Sequence, residues 1–222
     1  MSSIQHLMWL GKSLSNRLTG RTPIGRVMEL IRRHGWQPAE MSVLELFGGT
    51  GGIHLDDYVD RVRSVVAWEI DPESIAVLQR RFPRIECHQT DTYAAIHSEQ
   101  RKFDWIISDN PMRQHGEHFE HFDLFPGVSR LCKDSAVMIF SIIPWASKFY
   151  LKRYPGLFSR EHLDARAVFY GVGNPEKLSP GDFHAAFERH LKEEGRQITW
   201  WHVEPRNPLL SYFICGVAKA DR

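Results

Sequence analysis

The chain has 222 residues and a formal net charge of +1. That length suffices for one domain with a sizeable core, and the charge is too near zero for a partner held by overall electrostatics. Three widely spaced cysteines without a CxxC pair argue against a disulfide framework or a zinc site, and no apolar run is long enough to span a bilayer.

Residues 1–21 carry Lys12, Arg17 and Arg21 among scattered apolar groups and read as a basic N-terminal extension, without a signal-peptide core. A cytoplasmic protein with no membrane contact is the expectation. From Thr22 a helix is well signalled. Thr22 can cap, Pro23 suits the first turn, Ile24, Val27, Met28 and Ile31 share a face, and Gly35 ends it. Strands over Ser42–Phe47, Ser64–Ile70, Ile85–His88 and Phe103–Ser108 then alternate with helices over Ile53–Arg61, Asp71–Phe82 and Tyr93–Ser98. A helix over Pro126–Cys132 precedes a strand over Ala136–Ile143. Cys87 and Cys215, both inside strands, are expected to be reduced core residues.

Segment 145–180 breaks this rhythm with Pro155, Gly156, Gly171, Gly173, Pro175 and Pro180 amid aromatic and basic residues. It reads as an inserted cap or substrate element within a single domain over 22–222. A helix over Gly181–Glu194 and strands over Ile198–Val203 and Leu210–Ala218 complete the chain. Pro205 and Pro208 block a helix between the last two strands, so these should pair antiparallel if they are neighbours. The whole is an α/β fold: a doubly wound, mostly parallel, seven-stranded sheet with a C-terminal antiparallel strand.

The chemistry lies at three strand ends. VLELFGGTGG, Val43 to Gly52, is a strand feeding a glycine turn, which could serve NAD, a phosphate loop or a nucleoside. Gly49 and Gly51 fit the dinucleotide spacing, but His54 stands at its last position, and no Lys-Ser/Thr pair follows for a phosphate loop. Glu69, ending the next strand, can accept from two ribose hydroxyls. Asp91 follows the third strand, where it could meet an adenine amino group or cap the next helix. SDNPM closes the fourth strand, and Asp109 or Asn110, beside Pro111, could hold an amine and orient its lone pair.

These motifs resemble those of the class I S-adenosylmethionine-dependent methyltransferases. ELFGGTGG is similar to the family's first motif, EIDP to its second, and DNP to the motif of enzymes acting on amines. Thr22–Met112 looks like the small guanine-N2 methyltransferases of ribosomal RNA. The resemblance implies a Rossmann-like fold, S-adenosyl-L-methionine as cofactor, and methyl transfer. It implies cofactor contacts by Glu45, Phe47, Gly48, Gly49, Gly51, Glu69, Ile70, Asp91 and Thr92, and catalytic roles for Asp109, Asn110 and Pro111. No Tyr or Phe stands where that motif stacks an acceptor base: Met112 and Arg113 occupy those places. Met112, Arg113, His115, Trp145, Phe149 and Tyr150 are the candidate substrate-binding residues, with no metal expected. His115, His118 and His121 suggest a general base or a polar flap rather than a metal site.

The acceptor is expected to be an amine of nucleic acid, RNA ahead of DNA, approaching over two basic stretches. One includes Arg26, Arg32 and Arg33; the other includes Lys148, Lys152, Arg153, Arg160 and Arg166. A small-molecule acceptor, or a non-catalytic subunit that binds the cofactor, are the other readings.

Overall fold

A computed structural model describes residues 22–51, 54–109, 118–125 and 127–220. Asn110, Pro111, Met112, Arg113 and His115, like the extension over 1–21, lie outside the described residues.

Helix α1 (Pro23–Arg33) starts as its sequence dictates. Thr22 Oγ1 accepts from the Gly25 N–H at 3.1 Å, a cap worth about 1 kcal/mol. Strands β1 (Ser42–Leu46), β2 (Ser64–Glu69), β3 (Glu86–Gln89), β4 (Phe103–Ser108) and β5 (Cys132–Ile142) are parallel neighbours in the order β3-β2-β1-β4-β5. Helices α2 (Leu55–Tyr58), α3 (Pro72–Arg81), α4 (Thr92–Ser98) and α5 (Gly127–Arg130) connect them.

After β5 come α6 (Lys148–Arg153), α7 (Arg160–Tyr170) and α8 (Pro180–Glu193), then β6 (Arg196–Pro205) and β7 (Ser211–Lys219). β7 inserts between β5 and β6, antiparallel to both, and β6 forms the sheet edge. Antiparallel pairing of the last two strands follows from their short proline-bearing link, as expected. β6 nevertheless runs on to Pro205, because at an edge a missing N–H costs no ladder bond.

Period-two alternation splits the core between the two sheet faces. Leu44, Leu46, Ile106, Met138 and Phe140 face α4, α5, α7 and α8. Val43, Val65, Ile107, Val137 and Ile139 face α1, α2 and α3. Three expectations need correction. The helix before β5 is one turn long and Cys132 already belongs to the strand, since Cys132 pairs with Phe103 of β4. The helix after the glycine turn is also short, giving way to a 3-10 turn at Val59–Arg61 that leads into β2. Cys87 is only half-buried, because β3 is an edge strand; Cys132 and Cys215 are buried, and all three are free thiols.

Segment 145–180 carries α6 and α7 and is closed at its base. Trp145 bridges to Lys177, and the Leu178 N–H donates to the Pro144 carbonyl at 2.9 Å.

Candidate active site

The parallel strands end together, and the alternation of each strand decides what stands there. On the face where Val43, Ile107 and Ile139 are apolar, the next residues of the same parity are Glu45, Asp109 and Ser141. β7 runs the other way, so its first residues reach the same end, and Tyr212 pairs with Ser141. Four polar groups thus meet at the carboxyl ends of the strands, on an otherwise apolar face.

His54, at the start of α2, binds them together. It is 3% exposed. Its Nδ1 lies 2.8 Å from Glu45 Oε1, and its Nε2 lies 2.8 Å from the Tyr212 hydroxyl and 3.7 Å from Asp109 Oδ2. The Tyr58 hydroxyl donates to Glu45 Oε2 at 2.5 Å. Ser141 Oγ donates to Asp109 Oδ1 at 2.6 Å, and Arg206 Nη1 donates to both. Arg206 comes from the β6–β7 link, held between Pro205 and Pro208.

Two carboxylates therefore face two cations. Burial alone would depress the pKa of His54, but Glu45 and Asp109 outweigh it and hold the imidazole above its ordinary value. Burial would raise Asp109, yet His54 and Arg206 hold it below the usual carboxylate range. Burial, then nearby charge, pushes the Tyr58 phenol up; burial likewise raises Tyr212, against the pull of Arg206. With both His54 nitrogens protonated, the ring donates to Glu45 and to Tyr212. Each charge of the set thus has an opposite charge beside it, which a buried charge cluster requires.

The glycine turn lies against this cluster. Phe47 takes a left-handed φ of 61°, which costs a non-glycine residue about 1–3 kcal/mol and often marks a functional turn. Gly51 combines a φ of 75° with packing so close that a Cβ would lie 2.6 Å from the Phe82 ring. Gly49 differs: a Cβ there would meet nothing within 4 Å. Both glycines hold a left-handed φ, 52° at Gly49, but only the turn at Gly49 faces open space. A cavity of about 110 Å³ follows, lined by Glu45, Phe47, Gly48, Gly49, His54 and Asp109, among others. A larger recess of about 1130 Å³ lies at the other end of the sheet. Its Lys133 and Asp104 are already paired at 2.8 Å.

Glu69 stands beside the turn. Its Oε2 accepts the Gly49 N–H at 2.7 Å, and its Oε1 accepts the N–H groups of Ile70 and Asp71 at 2.8 and 2.9 Å. A carboxylate accepts about four hydrogen bonds, so room remains for one hydroxyl; gripping two requires releasing a backbone contact. Ile70 is 62% exposed, an uncovered apolar side chain next to the turn. Asp91 Oδ1 caps α4 by accepting from the Tyr93 N–H at 2.9 Å, while Thr92 is buried in the first turn.

Trp145, Phe149 and Tyr150 do not line this cavity. Tyr150 belongs to a separate cluster with Ile143, Ala146 and Leu157 that packs on Leu209 and Leu210. The histidines diverge as well. His118 stacks on Tyr93 at 3.5 Å and pairs with Asp123 at 2.6 Å, while His121 is buried among phenyl rings. Glu120 is also fully buried, so this part of the segment is core and not a polar flap. Among the described residues, no cluster of three or more candidate metal ligands forms.

The sequence reading thus assembles Glu45, Phe47, the glycines and Asp109 but misses His54, Ser141, Arg206 and Tyr212. His54 had entered only as a mismatch to the dinucleotide spacing. The available signal for Arg206 was a charged residue pinned between two prolines at a strand end.

No family model matches the chain, and no curated protein matches it by sequence. Solved structures do match in fold. Magnesium protoporphyrin IX methyltransferase (ChlM) from Synechocystis PCC 6803, with bound SAH, superposes with a TM-score of 0.54 at 12% identity, covering 89% of this chain and 82% of that one. M. jannaschii TYW2, in complex with AdoMet, gives 0.51 at 11% identity over 87% and 75%. A Pyrococcus horikoshii protein provisionally named an RNA methyltransferase gives 0.50 at 15% identity over 89% and 81%. At such identities the likeness speaks for architecture: the chain has the Rossmann-like α/β fold of the class I methyltransferases.

Proposed function

We propose that the protein is an S-adenosylmethionine-dependent methyltransferase that methylates an amine of a nucleic acid. The observation that carries this is the convergence of the open Gly49 turn, Glu69 and Asp109 on one end of the sheet, where α/β folds bind ligands. The neighbours solved with SAH or AdoMet support the same cofactor class.

The residues fit the nucleoside. The Gly49 backbone admits close approach, Glu69 has a free acceptor position for a ribose hydroxyl, and exposed Ile70 offers an apolar face to a base. When bound, the cofactor supplies a methyl activated on a sulfonium. Asp109 Oδ2, free of hydrogen bonds to Ser141 and Arg206, is placed to accept an N–H of the incoming amine. Ser141 and Arg206 hold the other oxygen and thereby fix the carboxylate plane. His54 and Arg206 hold the Asp109 pKa down, which favours the carboxylate, whose two oxygens only accept.

Calorimetry with S-adenosylhomocysteine tests the cofactor assignment. Binding to the wild type with no binding of NAD is the expected result; tight NAD binding overturns the reading. Mass spectrometry of RNA and DNA incubated with labelled cofactor then tests the acceptor. Label found only on small amines would move the acceptor to that class.

A further inference from the structure

Helix α6 carries two faces of opposite character. Tyr150, Leu151 and the following Tyr154 turn inward onto the Ile143, Ala146 and Leu157 cluster and onto Leu209 and Leu210. Lys148, Phe149, Lys152 and Arg153, at i, i+1, i+4 and i+5, share the outward face, and all are exposed. The helix contains no acidic residue and buries none of its residues fully. Arg160, at the head of α7, pairs with Asp164 at 3.6 Å. Lys148, Lys152 and Arg153 have no ion pair among the described residues. Phe149 is 68% exposed, with Tyr150 at 5.3 Å and nearly perpendicular. Arg153 also lies over the Tyr154 ring, 5.7 Å from its centroid, so the face presents one bare phenyl ring beside three cations that have no ion pair among the described residues.

The position of this face matters. The inner side of α6 packs on Leu209 and Leu210, in the same short link as Arg206, which holds Asp109. The face therefore sits at the site end of the sheet. The other basic stretch does not. α1 runs antiparallel to β6: Arg26 meets Glu204 at 2.7 Å near the carboxyl end, while His34 stacks on Trp200. Arg32 and Arg33 consequently lie toward the opposite end of the sheet.

We propose that the outward face of α6 docks a single-stranded nucleic acid, with an unpaired base stacked on Phe149 and phosphates on Lys148, Lys152 and Arg153. The charge favours a polyanion. The bare ring favours one whose bases are unstacked, since a duplex hides its base faces. The proposal rests on the nucleic-acid reading of the acceptor and deepens it by naming the strand state and the surface.

Fluorescence anisotropy of labelled single-stranded RNA and DNA oligonucleotides and a matched duplex, with the full-length protein, tests it. Single strands should bind in preference to the duplex. Phe149→Ala should weaken single-strand binding about 5- to 160-fold, the range for one lost base–aromatic stack; Phe149→Trp should restore it. Replacing Lys148, Lys152 and Arg153 together by Gln should flatten the slope of log K against log salt by about 2, from roughly 0.7 per phosphate on a single strand. Preference for duplex, or Phe149→Ala binding like the wild type, overturns the proposal. Binding of S-adenosylhomocysteine without binding of any oligonucleotide defeats the docking surface and the nucleic-acid acceptor but leaves methyl transfer standing. Phe149-dependent oligonucleotide binding without cofactor binding does the reverse.

Discussion

Among the described residues, two buried charge clusters are built from the same residue types, and they differ in whether they touch a cavity. At the candidate site, Glu45, His54, Asp109 and Arg206 border open space beside the glycine turn. In the second cluster, Glu120 accepts from Arg166, from His162 Nε2 at 3.0 Å and from the Tyr170 hydroxyl at 2.9 Å. Arg166 also donates to the carbonyls of Ile143 and Pro175 at 2.9 and 2.8 Å. Glu120, His162 and Arg166 are completely buried. The sealed cluster fastens α7 of the insert to the end of β5 and to the chain after β4. Among the described residues, its charged groups expose no surface to a ligand. Burial and ion pairing therefore do not mark a site; an adjoining cavity does.

Breaking the sealed cluster should have the largest effect on folding. Arg166→Met leaves Glu120 charged and deprived of its main partner, at a cost of about 3–5 kcal/mol in urea unfolding. The folded variant should bind S-adenosylhomocysteine as the wild type does. A loss below 1 kcal/mol would mean that the cluster is not the fastening.

Breaking the open cluster should act on turnover. Asp109→Ala should lower methyl transfer by roughly 10²–10³-fold, the scale of one lost positioning group in an active site, while calorimetry shows cofactor affinity nearly unchanged. A variant that methylates normally places the acceptor elsewhere.

The buried histidines of the two clusters should also respond to pH with opposite sign. Burial, chiefly, holds His121, beside Glu120, down to about 4. An unfolded histidine titrates near 6.5, so over that window only the unfolded chain takes up the proton. Stability therefore falls as pH drops from about 6.5 to about 4, by on the order of 3 kcal/mol. Arg166 and His162 overcome burial to hold Glu120 at about 2, which continues the loss below about pH 4. His54 works the other way. Its raised pKa contributes stability that is whole below about 6.5 and is lost as pH rises through the folded value. Urea midpoints measured across pH should show His121→Phe flattening the acid limb and His54→Gln the alkaline limb. Superimposable profiles for all three proteins would erase the distinction.

Two smaller effects sharpen the contrast further. Glu69→Ala should weaken S-adenosylhomocysteine binding by about 1.5–3 kcal/mol, the value of a charge-assisted hydrogen bond, with Glu69→Gln in between. Unchanged affinity would remove Glu69 from the pocket. Reversing Arg32 and Arg33 to Glu, at the far end of the sheet, should change oligonucleotide affinity about twofold or less at physiological salt, since exposed charges beyond about 8 Å are screened. A collapse of binding would put the nucleic-acid path over α1 instead.

Much of this protein is legible in the chain itself, because it depends on short-range physics. The Thr22 and Asp71 caps, the Ile24–Ile31 stripe and the Phe183–Leu191 face of α8 are local periodicities, and each helix appears where they require. The glycine turn, Glu69 and Asp109 are legible for the same reason: each is a special residue at the end of its own strand. The partners of Asp109 are not local. Ser141 reaches it only through the β4–β5 register, and Tyr212 reaches the same strand ends only because β7 runs antiparallel. Arg206 arrives from 97 residues away. The histidine-rich stretch suggests a polar flap, yet Glu120 within it is buried, because α7, some forty residues later, folds back over it. Alternation within a strand assigns a side chain to one of two faces, but which face is shared, and with whom, depends on strand order and register, and these are set by packing of the whole sheet.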